Sequence, residues 1–237
     1  MNFPPKVLRW ESAAQSEILR GGYPFPVEFV LSVILAESGG DCGEVNPNSG
    51  ASGLMQVIRN TLETYNNNNS PNVSIETMRS TDTSDGAAQI RVGLWVLGHY
   101  LKRAYRWVAS TNPQPGVSDI MRVDTIMYLR GPGRIYDKFG HLQDRRWSQL
   151  VASDPDWKFW GYPRRIWKWT QTNNDPVWDM PAINRWVNDG PQPPPPPPPP
   201  PPPVEPPLIA GSKNGFLLAL IILGVGSYYL KKWDDSK

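Results

Sequence analysis

Apolar residues in the N-terminal part of the chain recur at the three- and four-residue spacing of helices, and alternation at every second position is scarce. Val7 to Arg20 is predicted as a first helix. A second follows Pro26, whose fixed φ and missing N–H suit a first helical turn, and runs through Glu37 until Gly39-Gly40 stops it. Ile90, Leu94, Leu97, Leu101 and Val108 lay one apolar stripe along Ala87 to Ser110. Val117 to Leu129 reads as another helix, broken by Gly131-Pro132-Gly133. The stretch between the second helix and Ala87 reads as loop-rich, with Asn46-Pro47-Asn48-Ser49-Gly50 and the run Asn66 to Asn69. A mainly helical domain with at most a small sheet is expected.

The pattern changes near the other end. Eleven prolines run from Pro193 to Pro203, flanked by Pro191, Pro206 and Pro207. Such a tract forms a polyproline II rod rising about 3.1 Å per residue, which makes a stiff spacer of about 34 Å. An SH3-type ligand is the competing reading, without other support in the chain. Gly215 to Leu230 then holds sixteen residues without a charge, after the short apolar lead-in Leu208 to Gly211. Lys213 can snorkel, and Tyr228, Tyr229, Lys231, Lys232 and Trp233 form an interfacial belt, so a single membrane-spanning helix is expected over 208–233. The alternative is a C-terminal helix docked into the core, which the rigid tract disfavours. The first residues, Met1 to Lys6, carry no apolar run like that of a secretory signal.

Composition narrows the function. Hydrophobic residues are 39% of the 237, enough for a real core. The part before the proline run, about 190 residues, is a size that one core supports. A net charge of +2 does not suggest a nucleic-acid binder. Cys42 is the only cysteine, which excludes an intrachain disulfide and a cysteine metal cluster. His99 and His141 lie in different segments without metal-ligand spacing, so neither a zinc site nor a Ser-His-Asp hydrolase is expected. No metal and no cofactor is called for.

Glu37 sits oddly for a solvated charge. Val30, Val33 and Ile34 precede it by seven, four and three residues, which puts it on an apolar helical face. Leu31, Leu35 and Ala36 make that helix apolar nearly all round, the mark of a buried helix. A carboxyl at its end is partly desolvated, and its pKa rises toward the range where it can donate a proton near neutrality. The same placement also suits a structural carboxyl bonded to a neighbouring loop.

The residues that follow separate the two readings. Glu37-Ser38-Gly39-Gly40 is succeeded by Ser52-Gly53-Leu54-Met55-Gln56-Val57. Further on come Gln89-Ile90 with Gly93 and Leu97, then Met127-Tyr128-Leu129-Arg130-Gly131-Pro132-Gly133. In this order the four elements resemble the soluble lytic transglycosylase family, over roughly Pro24 to Tyr136. The resemblance implies a goose-type, α+β lysozyme-like fold. It implies that Glu37 protonates the glycosidic oxygen between N-acetylmuramic acid and N-acetylglucosamine in peptidoglycan. Glu37 would then deprotonate the muramic 6-hydroxyl, which closes onto C1 as a 1,6-anhydro product. It further implies that Ser38 positions substrate or Glu37, that Met55 and Gln56 line the groove, and that Tyr128 fixes the carboxyl or an acetamido group. The family's amide after the tyrosine is Leu129 here, followed by Arg130, so the sugar contacts at that point differ.

Most glycosidases use two carboxylates. Asp41 and Glu44, on a Gly-rich loop, are the nearest candidates for a second, and are read as solvated or turn-forming. If one faces the cleft, a lysozyme-type muramidase is the alternative; a wall binder or virion structural protein without activity is the other. The segment from Trp147 to Trp186 holds seven of the eleven tryptophans and is read as an extension packed on the main domain, with a glycan-binding surface as the competing reading. Arg164, Arg165 and Lys168 within it read as a solvated face.

The expected organisation is a lysozyme-like domain over 1–140, a Trp-rich extension over 141–190, a linker over 191–207, an anchor over 208–233 and a tail over 234–237. Lys231 and Lys232 beyond the span would leave the tail cytoplasmic and the enzyme outside. The expected setting is a phage virion membrane acting on host periplasmic peptidoglycan, as the chain resembles the wall-penetrating transglycosylases of membrane-containing phages. The bacterial inner membrane facing the periplasm is the alternative, and virion or envelope proteins are the expected partners.

Overall fold

Helix α3 (Val27–Ser38) is apolar nearly all round, and the fold surrounds it. Phe29, Val30, Leu31, Val33 and Ile34 are fully buried, each contributing about 2 kcal/mol of burial. A computed structural model describes residues 1–173 and 178–190, all in Met1–Pro195, the first of two compact units of the chain. Helices α1 (Pro5–Leu8) and α2 (Glu11–Gly21) pack against α3 from one side. On another side lies α10 (Gly161–Thr172), whose Tyr162, Ile166 and Thr170 form one buried stripe. Small hydroxyls let α3 and α10 approach closely: the Thr170 and Ser32 oxygens are 3.2 Å apart.

Helix α6 (Gly86–Ala109) is the long member and separates two cores. Ile90, Leu94, Leu97 and Leu101 face the main core around α3. Val92 faces a smaller one with Leu62, Tyr65, Val73 and Met78, under α4 (Arg59–Asn68) and α5 (Ile75–Met78). Helix α7 (Val117–Arg130) packs along α6 and α10, and α8 (Pro132–Phe139) follows it at once. Gly131 makes that junction with φ 75° and ψ 154°, a region open essentially to glycine, and Pro132 then starts α8. Helices α9 (Trp147–Ser153) and α11 (Met180–Asp189) complete the described residues.

Three expectations change, and the packed reading of the Trp-rich segment holds. The first helix is split at Arg9-Trp10, which lets the Trp10 indole and the Arg9 guanidinium both donate to the Gly40 carbonyl at 2.9 Å. The stretch read as loop-rich contains α4 and α5; Leu62 and Tyr65 make a buried pair that the surrounding asparagines conceal. The expected small sheet is, among the described residues, two isolated bridges, Val45 with Ser52 and Ser52 with Val57, because the tight turns at Gly50 and Gly53 leave no length for a ladder. The tryptophans of the 147–186 segment pack inward: Trp147, Trp160 and Trp186 are buried, and Trp157, Trp167, Trp169 and Trp178 lean on the core. Among the described residues no helix is long and apolar enough to cross a membrane. The linker over 191–207, the anchor over 208–233 and the tail over 234–237 lie outside them.

The Ser52–Val57 turn is held in place by Gln89, fully buried on α6. Its side-chain oxygen accepts from Leu54 N–H at 2.9 Å, and its amide donates to the carbonyls of Cys42 at 3.1 Å and Thr77 at 2.9 Å. Gly53, at φ 77°, passes so close that a Cβ would come within 2.9 Å of that oxygen and of the Met78 carbonyl. Replacing Gln89 with Leu leaves these buried backbone groups without partners. We expect Gln89→Leu to lose about 3 kcal/mol, read as a lower urea midpoint at unchanged slope. A midpoint equal to wild type would show that the pin does not hold the turn.

Candidate active site

Glu37 occupies the last turn of α3, which Gly39 ends in the left-handed conformation at φ 62°. Gly40 then passes directly over α1, where a Cβ would lie 2.4 Å from the Lys6 carbonyl. Glu37 lines a groove of about 560 Å³ between the two cores. The Asn46–Gly50 loop contributes Asn46, Asn48 and Ser49, the following turn Gln56, α4 Thr61, α6 Tyr100, and α7 Tyr128 with Leu129 and Arg130. Among the described residues lining it, Glu37 is the only carboxylate.

Burial raises the Glu37 pKa from 4.5 to about 7. Two partners on α10 oppose that rise without cancelling it. The Tyr162 hydroxyl donates to Oε1, and the positive charge of Arg165 acts on the carboxyl. Near neutral pH this group is therefore partly protonated, able to give a proton and to take one back.

The motif residues divide into those that face the groove and those that shape it. Gln56 lines the groove at φ 47°, a conformation costly for a side-chain-bearing residue. Its own amide holds the strain, donating to the carbonyls of Glu44 at 3.1 Å and Gly53 at 3.0 Å. Tyr128 also lines the groove, but its hydroxyl donates to the Met55 carbonyl at 2.5 Å and not to Glu37. Burial, with the nearby charge of Glu37 second, pushes the Tyr128 phenol far up.

Two expected groove contacts are corrected. The Met55 side chain is fully buried against Gly93, where a Cβ would lie 2.3 Å from its sulfur; only its carbonyl serves the site, through Tyr128. Ser38 turns away from the groove as well. Its hydroxyl lies 2.9 Å from the Leu54 carbonyl, a bond that ties the end of α3 to the turn, and accepts from Gly40 N–H at 3.2 Å.

Asp41 and Glu44 do not line the groove. Asp41 accepts from Gly43 N–H at 2.9 Å within its own turn, and Glu44 contributes its backbone carbonyl to Gln56. His99 stacks on Trp95 away from Glu37. No group of three or more His, Cys, Asp or Glu side chains among the described residues has the placement to hold a metal ion. Sequence reasoning missed Tyr162. It lies 125 positions from Glu37 in a tryptophan-rich stretch, and its only trace was the helical period it shares with Ile166 and Thr170.

The raised pKa makes a stability prediction. The folded chain binds the Glu37 proton up to about pH 7, the unfolded chain only up to about 4.5. Folded stability from this group therefore falls as pH rises between those values and stays lost above them. Glu37→Gln is expected to be more stable than wild type by about 2 kcal/mol at pH 8 and indistinguishable at pH 4, compared by thermal melts. Equal melts at pH 8 would show a carboxyl with an ordinary pKa.

Residues 20–112 match the family model of the Transglycosylase SLT domain, a span from the end of α2 through α6 that includes Glu37, the Ser52–Val57 turn and Gln89. Tyr128 and Tyr162 lie beyond the matched span. No curated protein and no solved structure matches the chain significantly. Residues 20–112, which include Glu37 and the Ser52–Val57 turn of its groove, are thus similar to the SLT transglycosylase domain.

Proposed function

We propose that the chain is a peptidoglycan lytic transglycosylase in which Glu37 acts alone, first as acid and then as base. The observation that carries this is that Glu37, half-buried and half-protonated near pH 7, is the only carboxylate among the described residues of the groove. Protonated Glu37 gives its proton to the β-1,4 oxygen as the bond to muramic C1 breaks. The resulting carboxylate takes the proton of the muramic 6-hydroxyl, whose oxygen bonds to C1. The products are a 4-hydroxyl end and a 1,6-anhydromuramic end, and no water is consumed. Two-carboxylate hydrolysis needs a second acid across the bond, about 5–9.5 Å away. The positions of Asp41 and Glu44 favour the first route.

For the setting, we infer a single-pass anchor over 208–233, with the globular part on a stiff linker outside the membrane. The reading is supported by the uncharged Gly215–Leu230 run and the eleven prolines before it. A phage virion membrane, from which the enzyme opens the host wall locally during infection, fits such an arrangement. Mass spectrometry should detect the chain in purified particles. Finding it solely in envelopes of uninfected cells would overturn the virion setting and leave the inner membrane.

Wall fragments released by residues 1–189 should carry anhydromuramic ends; reducing muramic ends would establish a muramidase. Glu37→Gln should lower release by about a thousandfold or more while wall binding persists. The wild-type kcat/KM should fall about tenfold per pH unit above pH 7, since the attack requires protonated Glu37. Tyr162→Phe removes a bond that favours the carboxylate, so this alkaline limb should move up by as much as about one unit, with slower turnover. An unmoved limb would separate Tyr162 from the catalytic carboxyl.

A further inference from the structure

The departure at the tyrosine element has a structural counterpart. Arg130, which follows Leu129 there, lines the Glu37 groove and also a second cavity of about 450 Å³ formed by α8 and the turn at Trp157–Phe159. It is the only residue common to the two linings. The guanidinium carbon lies 4.0 Å from the centre of the Phe159 ring, and Lys158 Nζ lies 5.3 Å from the same ring. Arg134 and Lys138 also line this cavity, against a single carboxylate, Asp137. Lys138 is paired with Asp154, whereas Arg130 and Arg134 form no ion pair among the described residues. A concave wall carrying several cations focuses positive potential and draws an anionic ligand more strongly than a convex charged face does.

We propose that this second cavity binds the carboxylates of the stem peptide that branches from the muramic acid at the cleavage point. The proposal rests on the reading of the Glu37 groove as the glycan site. In peptidoglycan a peptide with free carboxylates leaves the strand at the lactyl group of muramic acid. A groove that holds the strand needs a side channel for that branch, and the channel here opens at Arg130. A guanidinium meets a carboxylate in a two-pronged bond, and the Phe159 ring holds this one in place beforehand. Arg130 is thus a specificity-determining residue, and Leu129 leaves the sugar side of the junction without the family's amide.

The test uses the full chain and two substrates: native peptidoglycan, and the same material with its carboxylates converted to amides. The wild type should show a KM about tenfold higher on the amidated wall, with kcat little changed, and a native-wall KM that rises with salt. In the double variant Arg130→Gln, Arg134→Gln, the native-wall KM should rise about tenfold, with the difference between substrates and the salt dependence both lost. Cleavage of both walls at one KM by the wild type would overturn this subsite and leave the catalytic reading standing. So would a double variant that still prefers the native wall. A wild type that releases fragments from neither would overturn both.

Discussion

An α-helix that is apolar nearly all round has to be enclosed, and the enclosure of α3 organises this molecule. Packing α1 and α2 on one side and α10 on another removes its apolar surface from water. The enclosure ends at its last turn, where the groove between the two cores begins, and there stands Glu37. The raised pKa of that carboxyl is a consequence of the same burial that stabilises the helix. Structure and chemistry share one cause: α3 is kept dry, and so is its acid, apart from one face.

The residues around Glu37 show how a recognisable motif divides its labour. Gly39 caps α3, Gly40 allows contact with α1, and Ser38 ties the helix end to Leu54. Gly53 and Gly93 make room for the Gln89 oxygen and the Met55 sulfur. Gln89 collects three segments on one side chain, since a primary amide both accepts and donates and remains neutral when buried. From these motifs Glu37, Gln56, Val57, Tyr128, Leu129 and Arg130 line the groove. The rest fix the backbone geometry around them.

The Trp-rich segment is more than padding. Its tryptophans join the core of the preceding helices, which positions α10 against α3 and delivers Tyr162 and Arg165 to the Glu37 carboxyl. Both favour the charged form, so they restrain a pKa that burial alone would carry higher. The same segment supplies Phe159 beneath Arg130 at the other rim. A single stretch, remote in sequence, thus contacts two of the residues that line the groove, Glu37 and Arg130.

The sequence by itself determined the helices whose apolar period is long or whose ends carry glycine or proline: α3, α6 and α7 follow it closely. It also singled out Glu37, because a carboxyl in the last turn of a largely apolar helix stands out against the cost of burying charge. Short elements such as α4, recognisable by only Leu62 and Tyr65, were settled by tertiary packing, since their local preference is weak. Only the fold decided which motif side chains turn inward: Met55 and its neighbour Gln56 diverge across one tight turn that no periodicity describes. It alone brought Tyr162 to Glu37. That contact depends on how α10 docks on α3, and such docking leaves in the sequence only an apolar stripe, which names a buried face without naming its partner.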